Sequence, residues 1–141
     1  MKQRVLFVCI HNSARSQMAE ELLRKLAGGR FDVESAGLEP GRINPYAQKV
    51  LAEAGIDISK KETKSVSKMV ESSKIFDYVI TVCDETSAER CPVFPGKSKR
   101  IHWSFRDPSQ FQGSDEQKLQ KTREVREEIN TRIKKWLQEV V

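Results

Sequence analysis

Residues 4–29 have the sequence RVLFVCIHNSARSQMAEELLRKLAGG, and this stretch decides the fold. The apolar run over residues 4–9 predicts a strand that is buried on both faces. A polar loop follows, and the next apolar positions recur every three or four residues, which predicts a helix over residues 14–27. Gly28 and Gly29 end that helix. The apolar helix positions are Met18, Ala19, Leu22, Leu23 and Leu26.

The same alternation continues along the chain. Asn44 and Pro45 are a typical helix N-cap and first helical position, and Gly55 is typical of the residue after a helix. The order β-α-β-α-α-β-β-α predicts parallel pairing through right-handed crossovers. We therefore expect one α/β domain over residues 1–141, with three layers and a four-stranded parallel sheet. The other predicted strands cover residues 31–35, 76–83 and 101–103, and the other predicted helices cover residues 45–54, 65–73 and a long stretch from about Ser114.

Composition excludes several classes of protein. Of the 141 residues, 38% are hydrophobic and 32% are charged, and apolar runs recur, so the chain is not disordered as a whole. No stretch approaches about 18 consecutive apolar residues, and the N-terminal run lacks a signal-peptide pattern, so we expect a cytoplasmic protein rather than a membrane protein. The net charge of +5 fits nucleic acid or a small anion, but interspersed charges without a nucleic-acid motif favour a solvated surface.

The three cysteines, Cys9, Cys83 and Cys91, cannot all pair within one chain. A cytoplasmic compartment keeps thiols reduced, so a structural disulfide framework is not expected. The cysteines are then buried apolar residues, metal ligands or reactive thiols. Because the chain has no C-x-x-C motif, and because His11 and His102 complete no familiar ligand spacing, metal is the weakest option and we predict no metal site.

Chemically capable residues follow three of the predicted strands. The first strand ends at Cys9, the third ends at Cys83, and Asp107 follows the fourth. In parallel α/β sheets, ligands bind beyond the carboxyl ends of the strands. Topology alone therefore places these three side chains at one edge of the sheet, which is the first functional signal in the sequence.

The segment from Cys9 to Ser16 has the pattern Cys-x5-Arg between a buried strand and an amphipathic helix. Such a loop can aim backbone N–H groups at an oxyanion, and the helix N-terminus adds positive potential. Arg15 supplies a planar fork for a tetrahedral oxyanion, and Ser16 can donate to a nucleophilic Cys9 thiolate. Asn12 tolerates a left-handed backbone conformation. The candidate substrate-binding residues are Ile10, His11, Asn12, Ser13, Ala14, Arg15 and Ser16.

Several of these residues also have an interpretation in which they play no part in catalysis or binding. Cys9 could be a core cysteine at a strand end, next to an ordinary arginine in the first turn of a helix. His11 could favour the thiolate, but the pattern favours an exposed loop histidine. Without the Cys9 loop, Cys83 and Cys91 would be interpreted as a buried strand-end residue and a loop thiol.

The loop and the motifs after it resemble the low-molecular-weight phosphotyrosine phosphatase superfamily, over nearly the whole chain. Within this superfamily the sequence is most similar to the thioredoxin-coupled arsenate reductases. Cys83 and Cys91 match the two relay cysteines of those reductases. Ser109 follows the Asp-Pro pair, where phosphatases typically have tyrosine, and Ala14 replaces a second loop cysteine, which is a weaker distinction. The matching motifs cover residues 17–20, 35–37, 55–59, 81–83, 91–92, 102–103 and 107–108, together with the last helix.

The resemblance implies a mechanism for arsenic detoxification. Cys9 attacks arsenate held by Arg15 and the loop amides, and Asp107 acts as general acid. Cys83 then attacks Cys9 and arsenite leaves, and Cys91 attacks Cys83 to form the disulfide that thioredoxin reduces. The resemblance also implies reduced thioredoxin as electron donor and partner, no bound cofactor, and a monomer at which phosphate or sulfate competes with arsenate.

Two features of the resemblance raise structural questions. If residues 84–90 are helical in the reduced protein, they must unwind on oxidation. Eight helical residues span about 12 Å, whereas a disulfide joins Cα atoms roughly 4.4–6.8 Å apart. This cysteine segment is also slightly longer than is usual in the family.

Some members bind potassium at positions matching Asn12, Glu20 and Ser35, but Ser65 stands where a carboxylate is expected, so this ion site is not carried over.

Three other functions compete with arsenate reduction. A protein tyrosine phosphatase that forms a phosphoenzyme on Cys9 has no use for Cys83 and Cys91. A phosphocarrier of sugar transport also places a cysteine after its first strand, but it needs no arginine at this spacing. A non-catalytic oxyanion-binding domain leaves Asp107 and the cysteine pair unexplained.

Overall fold

The computed structural model describes residues 2–83 and 97–140. Within these residues, parallel strands form a four-stranded sheet in the order β2-β1-β3-β4, which confirms the predicted sheet and element order. The strands are β1 (Gln3–Cys9), β2 (Phe31–Gly37), β3 (Tyr78–Thr81) and β4 (Lys99–His102). The helices are α1 (Arg15–Ala27), α2 (Pro45–Glu53), α3 (Val66–Glu71) and α4 (Asp115–Glu139), with a short 3-10 helix over Pro108–Gln110.

Helices cover both faces of the sheet. Successive β1 residues point to opposite faces. Val5 and Phe7 therefore share a core with α1, α2 and α4, whereas Leu6 and Val8 share a second core with α3. On the first face, Trp136 of α4 is buried in an aromatic cluster. The layers are helix, sheet and helix, which is the predicted three-layer α/β architecture.

Local sequence signals start and end the helices. The Asn44 side chain caps α2 and accepts a hydrogen bond from the Tyr46 N–H at 2.8 Å. Gly55, just past that helix, has a φ of 81°, the left-handed conformation that favours glycine after a helix. Ser114 and Gln117 form a capping box that begins α4. These caps confirm the predicted helix ends to within about a residue or two.

The strand ends differ more from the predictions. β3 was predicted over residues 76–83 but covers Tyr78–Thr81, because these four residues are the ones that pair with both β1 and β4. β4 begins at Lys99 rather than at residue 101, because an edge strand can carry charged side chains that an apolar pattern does not reveal. Differences of one or two residues also affect β1, β2, α1, α2 and α3.

Part of the predicted cysteine relay lies outside the described residues. Cys83 is the last residue described before the gap, and Cys91 lies within the gap. The helix expected over residues 84–90, and its unwinding on oxidation, therefore stay predictions. Within the described residues, no helix is both long enough and apolar enough to cross a membrane.

Candidate active site

The segment between β1 and α1 forms a closed loop at the carboxyl edge of the sheet. Cys9 is the last residue of β1 and Arg15 is the first of α1, so the strand and the helix fix the two ends of the loop. Cys9, Arg15 and Ser16 are all buried. The predicted oxyanion-binding segment therefore lies where parallel α/β sheets bind their ligands.

Two hydrogen-bonding groups lie next to the Cys9 sulfur. The Ser16 hydroxyl oxygen is 2.8 Å from Sγ, and the Asn12 backbone N–H donates to Sγ at 3.2 Å. Donors of this kind stabilise an ionised sulfur more than a neutral one. The surroundings of Cys9 therefore suit a thiolate, which is the nucleophilic form of cysteine.

The carbonyl groups of the loop are bonded away from its interior. Backbone N–H groups of residues 38–44 donate to four of them, so those oxygens point outward. The N–H groups of Ser13 and Ala14, by contrast, make no hydrogen bond to any described residue. Consecutive N–H groups that are not bonded within the protein, on a loop whose carbonyls are bonded elsewhere, are available to an anion. The outward bonds run from Leu38 to Cys9, from Glu39 to Ile10, from Gly41 to His11 and from Asn44 to Ser13, at 2.7–3.1 Å.

Gly37 allows this loop to pack on the end of β2. A Cβ atom at position 37 would come within 2.7 Å of backbone atoms of His11 and Asn12, which is closer than real Cβ atoms approach. Only glycine therefore permits this close approach of two backbones. The glycine of the Ser35-Ala36-Gly37 motif is thus required because a side chain there would collide with the loop backbone.

Asn12 is the buried centre of the loop. Its φ of 55° confirms the predicted left-handed conformation. The side-chain amide donates to the hydroxyls of Ser16 and Ser35 at 2.8 and 2.9 Å. Its Oδ1 accepts from the Lys64 backbone N–H at 2.9 Å and from the Gln17 side chain at 3.1 Å. Both donors and the acceptor of this amide are used, so its position is fixed.

Glu20 anchors the far end of this hydrogen-bond network. One carboxylate oxygen accepts from the Ser35 hydroxyl, and the other lies 2.6 Å from Arg24 and 2.7 Å from Lys61. Burial acts to raise the pKa of Glu20, but the charge and hydrogen bond of Lys61, helped by Ser35 and Arg24, hold it below its ordinary value. A carboxylate at a position linked to potassium in the family is therefore paired with two cationic side chains here.

Metal ions in proteins are usually held by several ligating side chains that lie close together. Within residues 2–83 and 97–140, no group of three or more His, Cys, Asp or Glu side chains could hold a metal ion.

Arg15 connects the loop to Asp107. Its Nη2 lies 3.5 Å from the Asp107 Oδ2, and its Nη1 donates to the Phe105 carbonyl at 3.2 Å. The side chains of Arg15 and Asp107 are 4% and 17% exposed, so the pair lies just inside the mouth of the site. The structure therefore brings Asp107 next to the loop, as the topology predicted.

Asp107 is held by the 3-10 helix that follows it. Its carboxylate accepts from the N–H and the hydroxyl of Ser109 at 3.0 and 2.8 Å. The sequence does not distinguish this helical turn from an ordinary turn, because Pro108 and Asp107 are equally typical of both. The turn fixes the carboxylate near the mouth of the site.

A cavity of about 600 Å³ opens at the Arg15–Asp107 pair. Phe105 and Phe111 supply aromatic rings to its wall, and Arg106 supplies a further cation. A tetrahedral oxyanion fills only a small part of such a volume, since ligand pockets of roughly 300–1,000 Å³ hold drug-sized molecules. The mouth therefore leaves room for a larger group to approach the loop.

Cys83 lies beside the loop edge. It is two residues beyond β3 and belongs to the same buried core cluster as Cys9. Thr81 of β3 is level with Val8 of β1, so Cys83 is level with the residue that follows Cys9. The sheet register therefore brings the second predicted cysteine to the same edge as the first, whereas Cys91 lies outside the described residues.

His11 lies on the exposed side of the loop. Its Nδ1 is 2.8 Å from the Glu39 carbonyl oxygen, and because a carbonyl only accepts, Nδ1 carries the proton. No hydrogen bond joins His11 to Cys9 in the described part of the chain. The structure therefore supports the interpretation of His11 as an exposed loop residue.

The sequence pattern does not indicate three groups of the site, which are the side chains of Gln17 and Lys61 and the backbone N–H of Lys64. Gln17, Glu20 and Arg24 form a polar stripe along α1 that has the pattern of a solvent-facing side. In the structure Gln17 and Glu20 face residues 61–64 instead, which explains their burial, whereas Arg24 stays exposed. The sequence carries no local signal for Lys61 or Lys64, since their positions depend on how a loop folds back.

Comparisons with known proteins agree with this fold. The family model for low molecular weight phosphotyrosine protein phosphatase matches residues 4–141. An arsenate reductase of Halalkalibacterium halodurans is 42% identical over 133 residues, covering 94% of each chain. The structure of an arsenate reductase from Archaeoglobus fulgidus has a TM-score of 0.74 at 38% identity, covering 94% of this chain and 97% of that one. A thioredoxin-dependent arsenate reductase of Corynebacterium glutamicum has a TM-score of 0.72 at 34% identity, covering 99% of this chain and 62% of that one.

Proposed function

The chain belongs to the low-molecular-weight phosphotyrosine protein phosphatase family, and within this family we propose that it reduces arsenate to arsenite for arsenic detoxification. The similarity to proteins named arsenate reductase supports this proposal. The single observation that carries it is the position of Cys83, a second buried cysteine at the same sheet edge as the oxyanion loop. A phosphatase mechanism has no step for that thiol.

In the first step, the Cys9 thiolate attacks the arsenic atom of arsenate bound in the loop. Arg15 and the inward N–H groups stabilise the negative charge on the arsenate oxygens. Asp107 donates a proton to the departing oxygen, which leaves as water. The product is an adduct in which the Cys9 sulfur is bonded to As(V).

In the second step, the Cys83 thiolate attacks the Cys9 sulfur. A sulfur–sulfur bond forms, the sulfur–arsenic bond breaks, and its electron pair stays on arsenic, which becomes As(III). Arsenite then leaves the loop. The two cysteines supply both electrons, so the reduction balances without a bound cofactor.

In the third step, Cys91 attacks Cys83 and releases Cys9, which leaves a Cys83–Cys91 disulfide. We assign reduced thioredoxin as the electron donor, because a donor that acts directly on Cys9 would not need the cysteine pair. The thioredoxin dependence named for the Corynebacterium glutamicum relative supports this assignment. One chain carries all three cysteines, so a monomer suffices. We assign the reaction to the cytoplasm, because that compartment keeps thiols reduced.

The experiment that tests the proposal is a thiol count by intact mass. Fully reduced protein is mixed with arsenate without oxygen and then alkylated. We expect two of the three thiols to disappear, with Cys83 and Cys91 joined and Cys9 alkylated. The Cys83→Ser variant is the matched control, and it should keep its remaining thiols. Three free thiols in the parent protein after arsenate would overturn the proposal.

The reductant is tested separately by NADPH consumption in arsenate. Thioredoxin with thioredoxin reductase should sustain turnover, whereas glutathione with glutaredoxin should not. Phosphate and sulfate should inhibit competitively, because they share the tetrahedral shape and charge that the loop binds. Equal turnover with both donors would contradict the assignment of thioredoxin but not the reduction of arsenate.

A phosphatase that forms a phosphoenzyme on Cys9 is the second candidate function. The arrangement of Cys9, Arg15 and Asp107 favours it, because this arrangement suits phosphate as well as arsenate. This function predicts that Cys83→Ser and Cys91→Ser leave the hydrolysis of an aryl phosphate unchanged. Fast hydrolysis together with no arsenate-dependent thiol loss would favour this candidate over the first.

A further inference from the structure

Gln17 is a fully buried amide on α1 with an unusual set of contacts. Its Nε2 lies 3.1 Å from the Asn12 main-chain carbonyl oxygen, 3.1 Å from the Asn12 Oδ1 and 3.5 Å from the Glu62 carbonyl oxygen. Its Oε1 is buried and has no hydrogen-bond partner within residues 2–83 and 97–140. A buried carbonyl oxygen without a hydrogen-bond partner lowers the stability of the folded protein, so its presence here needs an explanation.

The three oxygens around Nε2 fix the orientation of the Gln17 amide. The opposite orientation would place Oε1 against three acceptors, which is worse than one unpartnered oxygen. Gln17 therefore presents N–H groups to Asn12 and cannot present its carbonyl. Because Nε2 must face these acceptors, Oε1 points to the other side, where it finds no donor among the described residues.

Gln17 in turn fixes the orientation of the Asn12 amide. Asn12 Oδ1 faces two donors, which are the Gln17 amide and the Lys64 backbone N–H. Its Nδ2 therefore points the other way and donates to the hydroxyl oxygens of Ser16 and Ser35. A reversed amide would lose both donors on Oδ1.

The orientation of Asn12 decides where the Ser16 hydrogen goes. A hydroxyl carries one hydrogen. Because Ser16 Oγ accepts from Asn12, its own hydrogen stays available for the Cys9 Sγ at 2.8 Å. If Asn12 presented Oδ1 instead, Ser16 would donate to that oxygen and the sulfur would lose a donor.

We propose that Gln17 is a positioning residue that, through Asn12, directs the Ser16 hydroxyl hydrogen onto the Cys9 thiolate. Gln17 also holds the Asn12 carbonyl away from the interior of the loop, where it would repel an oxyanion. The inference rests on the proposed role of Cys9 as nucleophile. Its readout is alkylation of Cys9, which does not require that the protein reduces arsenate.

The test is a double-mutant cycle between Gln17 and Ser16. It uses the Cys83→Ser, Cys91→Ser background, in which Cys9 is the remaining thiol, and the neutral reagent iodoacetamide at pH 7. Gln17→Met keeps the length of the side chain but removes its donor. We expect it to slow alkylation about tenfold, as for loss of a hydrogen bond to a charged group.

The Ser16→Ala background separates positioning from a merely structural role. With no hydroxyl to direct, Gln17→Met should change the alkylation rate there by less than about twofold, because residues that act as one unit are not additive. Equal slowing in both backgrounds, or no slowing in either, would overturn the proposal. Thr122→Val, which removes a buried hydroxyl bonded within α4, controls for general destabilisation and should leave the rate unchanged.

Asn12→Asp tests the same step if the Gln17 variant does not fold. An ionised aspartate cannot donate to Ser16 in either orientation, so alkylation should slow about as much as with Gln17→Met. Unchanged alkylation in Asn12→Asp would overturn the proposal without any Gln17 variant. Melting curves of each variant identify those that are folded at the assay temperature.

Discussion

The two walls of the active site are held in different ways. In the loop wall (residues 9–16), Cys9, Asn12, Arg15 and Ser16 are buried, and the surrounding segments bond the backbone carbonyls. In the opposite wall (residues 103–111), the Arg106 side chain is 50% exposed, and its carboxylate partner is the equally exposed Glu128. Many contacts fix the position of the loop wall, whereas few contacts fix the position of the opposite wall.

This difference matches the chemistry that each wall is proposed to perform. A nucleophile and an anion-binding loop gain from being fixed before the ligand arrives, since that reduces the ordering cost of binding. A general acid must follow a departing oxygen, and the mouth must admit a second group. Substitutions in the loop wall should therefore have larger effects than similar substitutions in the opposite wall.

The largest contrast is expected between two arginines. Arg15→Lys should lower kcat/KM for arsenate about 100- to 1,000-fold, because an ammonium group cannot replace the planar fork in a preorganised anion site. Arg106→Lys, in the opposite wall, should change it less than about threefold, because an exposed ion pair contributes little. Arsenate-dependent disulfide formation measures both. Equal losses would show that the two walls do not differ in this way.

The next contrast compares two glycines. Gly37→Ala should lower the free energy of unfolding by about 1–3 kcal/mol, because its Cβ meets the loop backbone. It should also lower kcat/KM about 100-fold through misplacement of the loop. Gly29→Ala is the matched control, because its Cβ would have no neighbour within 4 Å, and it should be neutral in both measurements. Urea unfolding and steady-state kinetics check these outcomes.

A smaller, pH-dependent effect is expected at Glu20. Its pKa is held below the ordinary value of 4.5 in the folded protein, so the ionised form stabilises the fold fully above about pH 4.5. Glu20→Gln should lower the free energy of unfolding by about 1–3 kcal/mol at pH 7. That difference should shrink as the pH falls below about 4.5, because Glu20 of the unfolded chain then takes up a proton before Glu20 of the folded protein does.

Urea unfolding of wild type and variant at pH 7, 5, 4 and 3.5 measures this difference. The exposed Glu71 of α3 provides the matched control, since Glu71→Gln should leave stability nearly unchanged throughout. A Glu20→Gln difference that stays constant down to pH 3.5 would contradict the ionised network that anchors Asn12.

The smallest effect is expected at Ser109 in the opposite wall. Ser109→Ala removes one of two hydrogen bonds to Asp107 and leaves the backbone bond in place. The kcat for arsenate reduction should fall only about three- to fivefold, as for loss of a single hydrogen bond near the surface. Ser104→Ala lines the same cavity and should have no effect. A loss above about 50-fold would show that the opposite wall is as tightly determined as the loop.

The loop wall could largely be predicted from the sequence because its signals are local. Cys9 and Arg15 lie at fixed spacing between a strand and a helix, and Asn12 is suited to a left-handed conformation. The caps of α2 and α4 were equally predictable, because Asn44 and Ser114 act on residues within one helical turn. Parallel pairing then brings Asp107 and Cys83 to the same edge.

The remainder depends on contacts between distant segments. Gln17 was not identified because its partners include the main chain of Glu62, and Lys64 acts through a backbone N–H that any residue has. Glu20 and Lys61 are 41 positions apart in sequence order, and no periodicity connects them. Strand ends were also uncertain, because β3 covers the residues that pair with β1 and β4 rather than its whole apolar run.

The outward carbonyls of the loop have a consequence for measurements of stability. Because residues 38–44 must be in place before the loop exists, the unfolded chain has no comparable anion site. A bound oxyanion therefore shifts the folding equilibrium by mass action, by about 2.7 kcal/mol at a concentration 100 times its Kd. If phosphate or sulfate binds the loop as proposed, it acts as a folding ligand, and melting temperatures of this protein should then be compared at one concentration of those salts.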